Sequence, residues 1–135
     1  MKNKTACWVF FAKKDIALAE VIKDNPEFTG EIAFHCQQGI EKYFKAYLAE
    51  NEKSVAKIHN LLKLYAEVKI IKDWGLEENL LDEISKIYTE SRYPEDIGIK
   101  PDGLLPSTDE AKRYLEFAQK IKSIFESLVE EDSTK

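Results

Sequence analysis

Apolar residues recur at steps of three and four along nearly the whole chain, and no stretch alternates in the strict way of a strand. Five helical segments stand out. The first is expected from about Thr5 to Ile22, with Trp8, Phe11, Ala12, Leu18, Ala19 and Ile22 on one face and Asp15 in the middle of that face. "DNPEFTG" breaks the chain, and a second helix is expected from about Thr29 to Glu50, packing through Ile32, Cys36, Ile40, Tyr43 and Tyr47. A third begins near Ile58 and is carried by Leu61, Leu62, Tyr65 and Val68, with Gly75 of "DWG" as its stop. The fourth, from about Glu77 to Ser91, buries Leu80, Leu81, Ile84, Ile87 and Tyr88.

The stretch "RYPEDIGIKPDGLLPS" carries three prolines and two glycines, and no regular helix fits it. Loops of this length in compact domains are often functional. Ser107 and Glu110 then have the spacing of a capping box, which opens a last helix. That helix aligns Ala111, Tyr114, Phe117, Ala118, Ile121, Ile124, Phe125 and Leu128, and "EEDSTK" reads as a frayed tail from about residue 130. Five amphipathic helices with mostly short connections predict an all-α, up-and-down bundle occupying residues 1–135 as one domain.

With 135 residues the chain is long enough for one real core and too short for two. Hydrophobic residues make up 44% and charged residues 33%, the balance of an ordinary globular protein, which argues against disorder. The longest apolar run, "ACWVFFA", falls far short of the roughly 20 residues of a membrane span. No small-residue cleavage site follows it, so the expectation is a cytoplasmic protein. Cys7 and Cys36 stand far apart without a CxxC pair, which fits two reduced thiols and neither a zinc site nor a disulfide scaffold. A formal net charge of −5 argues against broad electrostatic capture of nucleic acid, though a local basic patch stays open.

The residues with candidate chemistry concentrate on the second helix. His35, Gln38, Lys42 and Lys45 are separated by three, four and three positions, so they share a face. A protonatable ring, an amide and two ammonium groups in a row suit an anion such as phosphate. The competing reading is a solvated face in which Glu41 and Lys45 form an exposed ion pair of a few tenths of a kcal/mol. Asp15, set among apolar neighbours, needs a cation or several donors, and Lys42, Lys45 and Arg92 are the candidates. Arg92 projects from the end of the fourth helix, where a guanidinium grips phosphate in a bidentate contact or simply complements the helix dipole. His59 opens the third helix, in the position of a cap or a surface residue. There is no P-loop, no HExxH and no spaced Cys/His set, so neither a metal nor a cofactor is expected.

The segment "AFHCQQGIEKYFKAYL" resembles the hallmark second helix of the HEPN family, whose pattern runs approximately A-F-H-x-Q-Q-x-x-E-K-x-x-K-A-x-L. It matches at Ala33, Phe34, His35, Gln37, Gln38, Glu41, Lys42, Lys45, Ala46 and Leu48. "KKDIALAE" with Asp15, "HNLLKLY" with His59 and "SRYP" with Arg92 keep the family's order around it. The resemblance implies a bundle of four to five helices that dimerises, and a module that works beside a minimal nucleotidyltransferase, often as a toxin–antitoxin pair. It also implies, for many members, a metal-independent ribonuclease with an R-x(4–6)-H motif. Here no His follows Arg92, so that motif has no place.

The expectation is therefore a non-catalytic homodimeric module. It would bind a nucleotide, RNA or a nucleotidyltransferase partner through His35, Gln38, Lys42, Lys45 and Arg92. The alternatives are a divergent ribonuclease using Arg92 with His35 or His59, and a structural dimeric subunit. Asp15 is expected to be buried or half-buried against a neighbouring helix. Tyr43, Tyr47 and the run from Trp8 to Phe11 are expected to supply the dimer's apolar surface.

Overall fold

In the computed structural model the described residues are 1–55, 57–92 and 105–133, without the side chains of 88–92, 132 and 133. They form five α-helices: α1 Asn3–Ile22, α2 Thr29–Glu50, α3 Leu61–Ile71, α4 Glu78–Arg92 and α5 Thr108–Ser133. A single 3-10 turn, Pro26–Phe28, joins α1 to α2, with Asn25 Oδ1 accepting from the Glu27 amide at 2.9 Å. The architecture is the expected all-α up-and-down bundle, with no strand among the described residues.

Local chemistry sets most of the helix ends. Ser107 and Glu110 form the anticipated box: Ser107 Oγ accepts from the Glu110 amide at 3.0 Å, and Glu110 Oε1 accepts from the Ser107 amide at 2.9 Å. α3 starts three residues later than expected because Asn60 caps it, its Oδ1 accepting from the Lys63 amide at 3.0 Å. Gly75 does not stop that helix. It lies four residues past Ile71, at φ 68°, in a loop that wraps the Tyr65 hydroxyl. That hydroxyl donates to Asp73 and accepts from the amides of Trp74 and Leu76. The last helix runs on to Ser133, into the residues from about 130 that were expected to fray, and 134 and 135 lie outside the described residues.

α2 is the axis of the bundle and touches each of the other four helices. Ile32, Cys36, Ile40, Tyr43 and Tyr47 are buried as expected, but so are Gln37, Glu41, Phe44, Lys45 and Leu48 on its other sides. Tyr43 and Tyr47 are core residues, tilted against Phe125 and set edge-on to Trp74, and neither contributes to a dimer surface.

α1 is rotated from its expected orientation. Its buried positions are Thr5, Val9, Ala12, Ile16 and Ala19, whereas Phe11 and Leu18 face outward. The cause is close approach to α2. A Cβ on Gly39 would stand 2.8 Å from Ile16 Cγ1 and 3.5 Å from the Ala12 carbonyl oxygen, so the two backbones meet over a stripe of small side chains. Bulky Phe10 and Phe11 cannot enter such a seam.

Candidate functional site

The polar residues of α2 divide into two clusters. Toward α1, Asp15 takes two partners: His35 Nδ1 lies 3.0 Å from its Oδ1, and the Lys42 ammonium donates to its Oδ2. The Asp15 side chain is 12% exposed, half-buried and cation-paired as expected for a carboxylate on that face. His35 and Lys42 are partly covered as well, with the Phe34 ring set edge-on to the imidazole at 5.0 Å.

Toward the segment before α3, Glu41 is the hub. Gln37 Nε2 donates to Glu41 Oε1 and to the His59 carbonyl, both at 3.1 Å. Lys45 Nζ donates to Glu41 Oε2 at 3.1 Å, and His59 Nδ1 lies 3.2 Å from both carboxylate oxygens. The Lys45 ammonium also sits over the Trp8 ring, 5.4 Å from its centroid. Gln38 links the clusters, its Nε2 donating to Gln37 Oε1 at 2.7 Å.

This geometry changes the reading of the row. His35, Gln38 and Lys42 are partly open to solvent, but Lys45 is buried. The Glu41–Lys45 pair is thus a dry ion pair and not the exposed one that spacing suggests. The reason is the central place of α2: α1 and the chain before α3 cover the flank on which an isolated helix would carry solvated charge. Each lysine of the row already has its own carboxylate, so the row offers two neutralised pairs and no unpaired ammonium group. Arg92 ends α4, and its side chain lies outside the described residues, as do Tyr93 and Pro94.

Both histidines engage a carboxylate through Nδ1. With the proton on that nitrogen it donates to the carboxylate. His59 does not open α3 but precedes its cap, and its side chain is 66% exposed while Glu41 beneath it is buried. Among the described residues no group of three His, Cys, Asp or Glu side chains could hold a metal ion. No described helix is long and apolar enough to cross a membrane.

Sequence reasoning did not assign Gln37, Glu41 and Trp8 to the site. The steps of four from Gln37 to Glu41 to Lys45 were the available signal, since that spacing stacks three polar groups on one edge of a helix.

The family model described as "HEPN domain" matches residues 6–128. The chain belongs to the HEPN family. No curated protein matches it. Among solved structures it is similar to TT1696 from Thermus thermophilus, at 25% identity and a TM-score of 0.76, over 93% of this chain and 98% of that one.

Proposed function

We propose that this chain is a non-catalytic HEPN-type binding module, one helical domain that works as a homodimer. It would take a nucleotide or a minimal nucleotidyltransferase partner across the α1/α2 face bearing His35, Gln38 and Lys42. Arg92 would serve as an arm beside that face, with Lys45 behind it as support. The observation that carries this reading is the outer side of α1. Phe10, Phe11, Leu18 and Val21 are exposed there, and Phe11 and Leu18 stand one turn either side of Asp15.

The Asp15–His35–Lys42 cluster is therefore rimmed by large apolar side chains. Surfaces with exposed aromatic anchors around fixed polar groups suit association with another macromolecule. Pairing of both lysines with carboxylates, together with the missing R-x(4–6)-H motif, weighs against a ribonuclease centre in the row.

The test is the mass in solution. Light scattering of the full chain at micromolar concentration should give two chains of 15.6 kDa, and Phe11→Asp should reduce this to one without changing the helical circular dichroism. A single-chain mass for the unaltered protein would refute the dimer.

One observation favours a second reading. His59 is open to solvent and held from behind by buried Glu41, the arrangement of an oriented base. RNA cleavage by the purified protein, lost in both His59→Ala and Arg92→Ala, would establish the ribonuclease instead.

A further inference from the structure

α1 is apolar on two opposite sides. Val9, Ala12, Ile16 and Ala19 are buried against the bundle, whereas Cys7, Phe11, Leu18 and Val21 are exposed on the far side. A helix that is apolar all round is normally covered all round, and in the single chain the outer side of α1 is open.

The outer residues follow a definite repeat. Cys7, Phe11, Lys14, Leu18 and Val21 are spaced by four, three, four and three, the pattern of a two-helix seam. The inner stripe of Thr5, Val9, Ala12, Ile16 and Ala19 has the same spacing and is already packed. Lys14 is the one charged member of the outer stripe. Its ammonium has no ion pair among the described residues and rests over the Phe10 ring, 4.9 Å from the centroid. The Phe11 ring stands edge-on to Phe10 at 5.2 Å.

A lone charge in a seam fixes which way two helices pair. In a parallel pair of copies each seam position meets itself, so Lys14 would face the partner's Lys14 and the charges would repel. In an antiparallel pair Cys7, Lys14 and Val21 meet the set formed by Phe11 and Leu18. Lys14 then lies over the partner's Phe11, and Cys7 lies against the partner's Leu18.

We propose that α1 pairs antiparallel with α1 of a second copy, each Lys14 ammonium held between its own Phe10 and the partner's Phe11. The proposal rests on the dimer reading above and names its seam. It also joins the two polar sites. On α1, Asp15 and Trp8 lie on the flank toward α2, and Lys13 and Glu20 on the flank toward α5. The two-fold axis of an antiparallel pair brings like flanks to the same side. Both Asp15–His35–Lys42 clusters therefore share one side of the dimer, with the two Asp15 residues about 8 Å apart along the helices. A parallel pair would put the clusters on opposite sides.

The experiment is disulfide mapping of the full chain, with the mass in solution measured alongside. Leu18→Cys, oxidised with copper–phenanthroline at micromolar concentration, should give a linked dimer whose bridge joins Cys7 to the thiol introduced at position 18. The unaltered protein should form no Cys7–Cys7 bridge, because this register holds those residues roughly 16 Å apart, beyond the reach of a disulfide. Cys36 is buried and stays out of the reaction. Lys14→Glu should weaken the dimer about tenfold or more in dilution light scattering, while Lys14→Arg keeps it. Iodoacetamide reaches Cys7 in the separated chain, so its labelling should slow as protein concentration rises.

A dimer mass without the bridge between positions 7 and 18 would overturn the seam and leave the dimer reading standing. Rapid Cys7–Cys7 bridging of the unaltered protein would overturn it too, in favour of a parallel pair. A Lys14→Glu dimer as tight as the parent would overturn the Lys14–Phe11 contact. A single-chain mass for the unaltered protein would refute both the seam and the dimer.

Discussion

The Lys45 ammonium and the Glu41 carboxylate meet at 3.1 Å with side chains only 6% and 5% exposed, inside the bundle and one turn apart on its central helix. Removing one partner leaves the other charged and dry. Lys45→Ala should therefore destabilise the fold by about 3 kcal/mol, far more than an exposed helical lysine would. Lys45→Met combined with Glu41→Gln should cost less than the sum of the two single changes, because the pair is removed as a unit. Urea midpoints of these variants measure this. A Lys45→Ala unfolding free energy within about half a kcal/mol of the parent would contradict it.

Asp15 joins α1 to two side chains of α2, and the bundle loses both bonds together when it is cut. Asp15→Ala should cost about 1–3 kcal/mol. Asp15→Asn keeps one acceptor oxygen, enough for His35 or Lys42 but not both, and turns an NH2 donor to the other, so it should recover at most part of the loss seen in the alanine variant. Thermal and urea melts check the order. Equal stability of all three proteins would mean that the cluster contributes nothing to the fold.

Gly39 permits the contact between α1 and α2. Alanine favours an isolated helix by about 1 kcal/mol over glycine, so propensity alone predicts stabilisation by Gly39→Ala. The added methyl would lie 2.8 Å from Ile16 Cγ1, and overpacking should win, with a net loss of about 1–3 kcal/mol. Gly39→Ala combined with Ile16→Val should recover part of that loss. A single variant more stable than its parent would show that the two helices separate at little cost.

Burial, with a smaller contribution from the Asp15 charge, pushes the Cys36 thiol up to about 12. Its thiolate is therefore scarce at neutral and mildly alkaline pH, whereas Cys7 is exposed. Iodoacetamide at about pH 8 should add one label per folded chain, on Cys7, and a second only in denaturant. The labelled mass decides the matter. Two labels at equal rates on the folded protein would mean that the α1–α2 seam opens readily.

Where local chemistry acts alone, the sequence was readable. Both ends of α2 lie where the breaks in periodicity put them, and the Ser107–Glu110 box forms as its spacing implies. The orientation of α1 was not readable. Trp8 to Ala12 is apolar without interruption, so period alone cannot choose between Phe11 and Val9 as the inward residue. What decides is the absence of a side chain at Gly39, against which Ile16 and the Ala12 carbonyl pack, a relation between two helices.

The site shows the same division. Spacing placed His35, Gln38, Lys42 and Lys45 together and marked Asp15 as needing a partner. It carried no information on whether a second layer covers that face, and so the burial of Lys45 was missed. Arg92 depended on a loop whose residues 93–104 lie outside those described.

The central position of α2 also orders the protein in time. Its amides lie beneath four other helices, so their protons should exchange only with global unfolding, whereas the exposed edge of α1 and the turn at residues 51–55 open by local fluctuation. The Lys2–Glu52 contact is the latch on that turn, because it fastens the start of α1 to the residues just beyond α2.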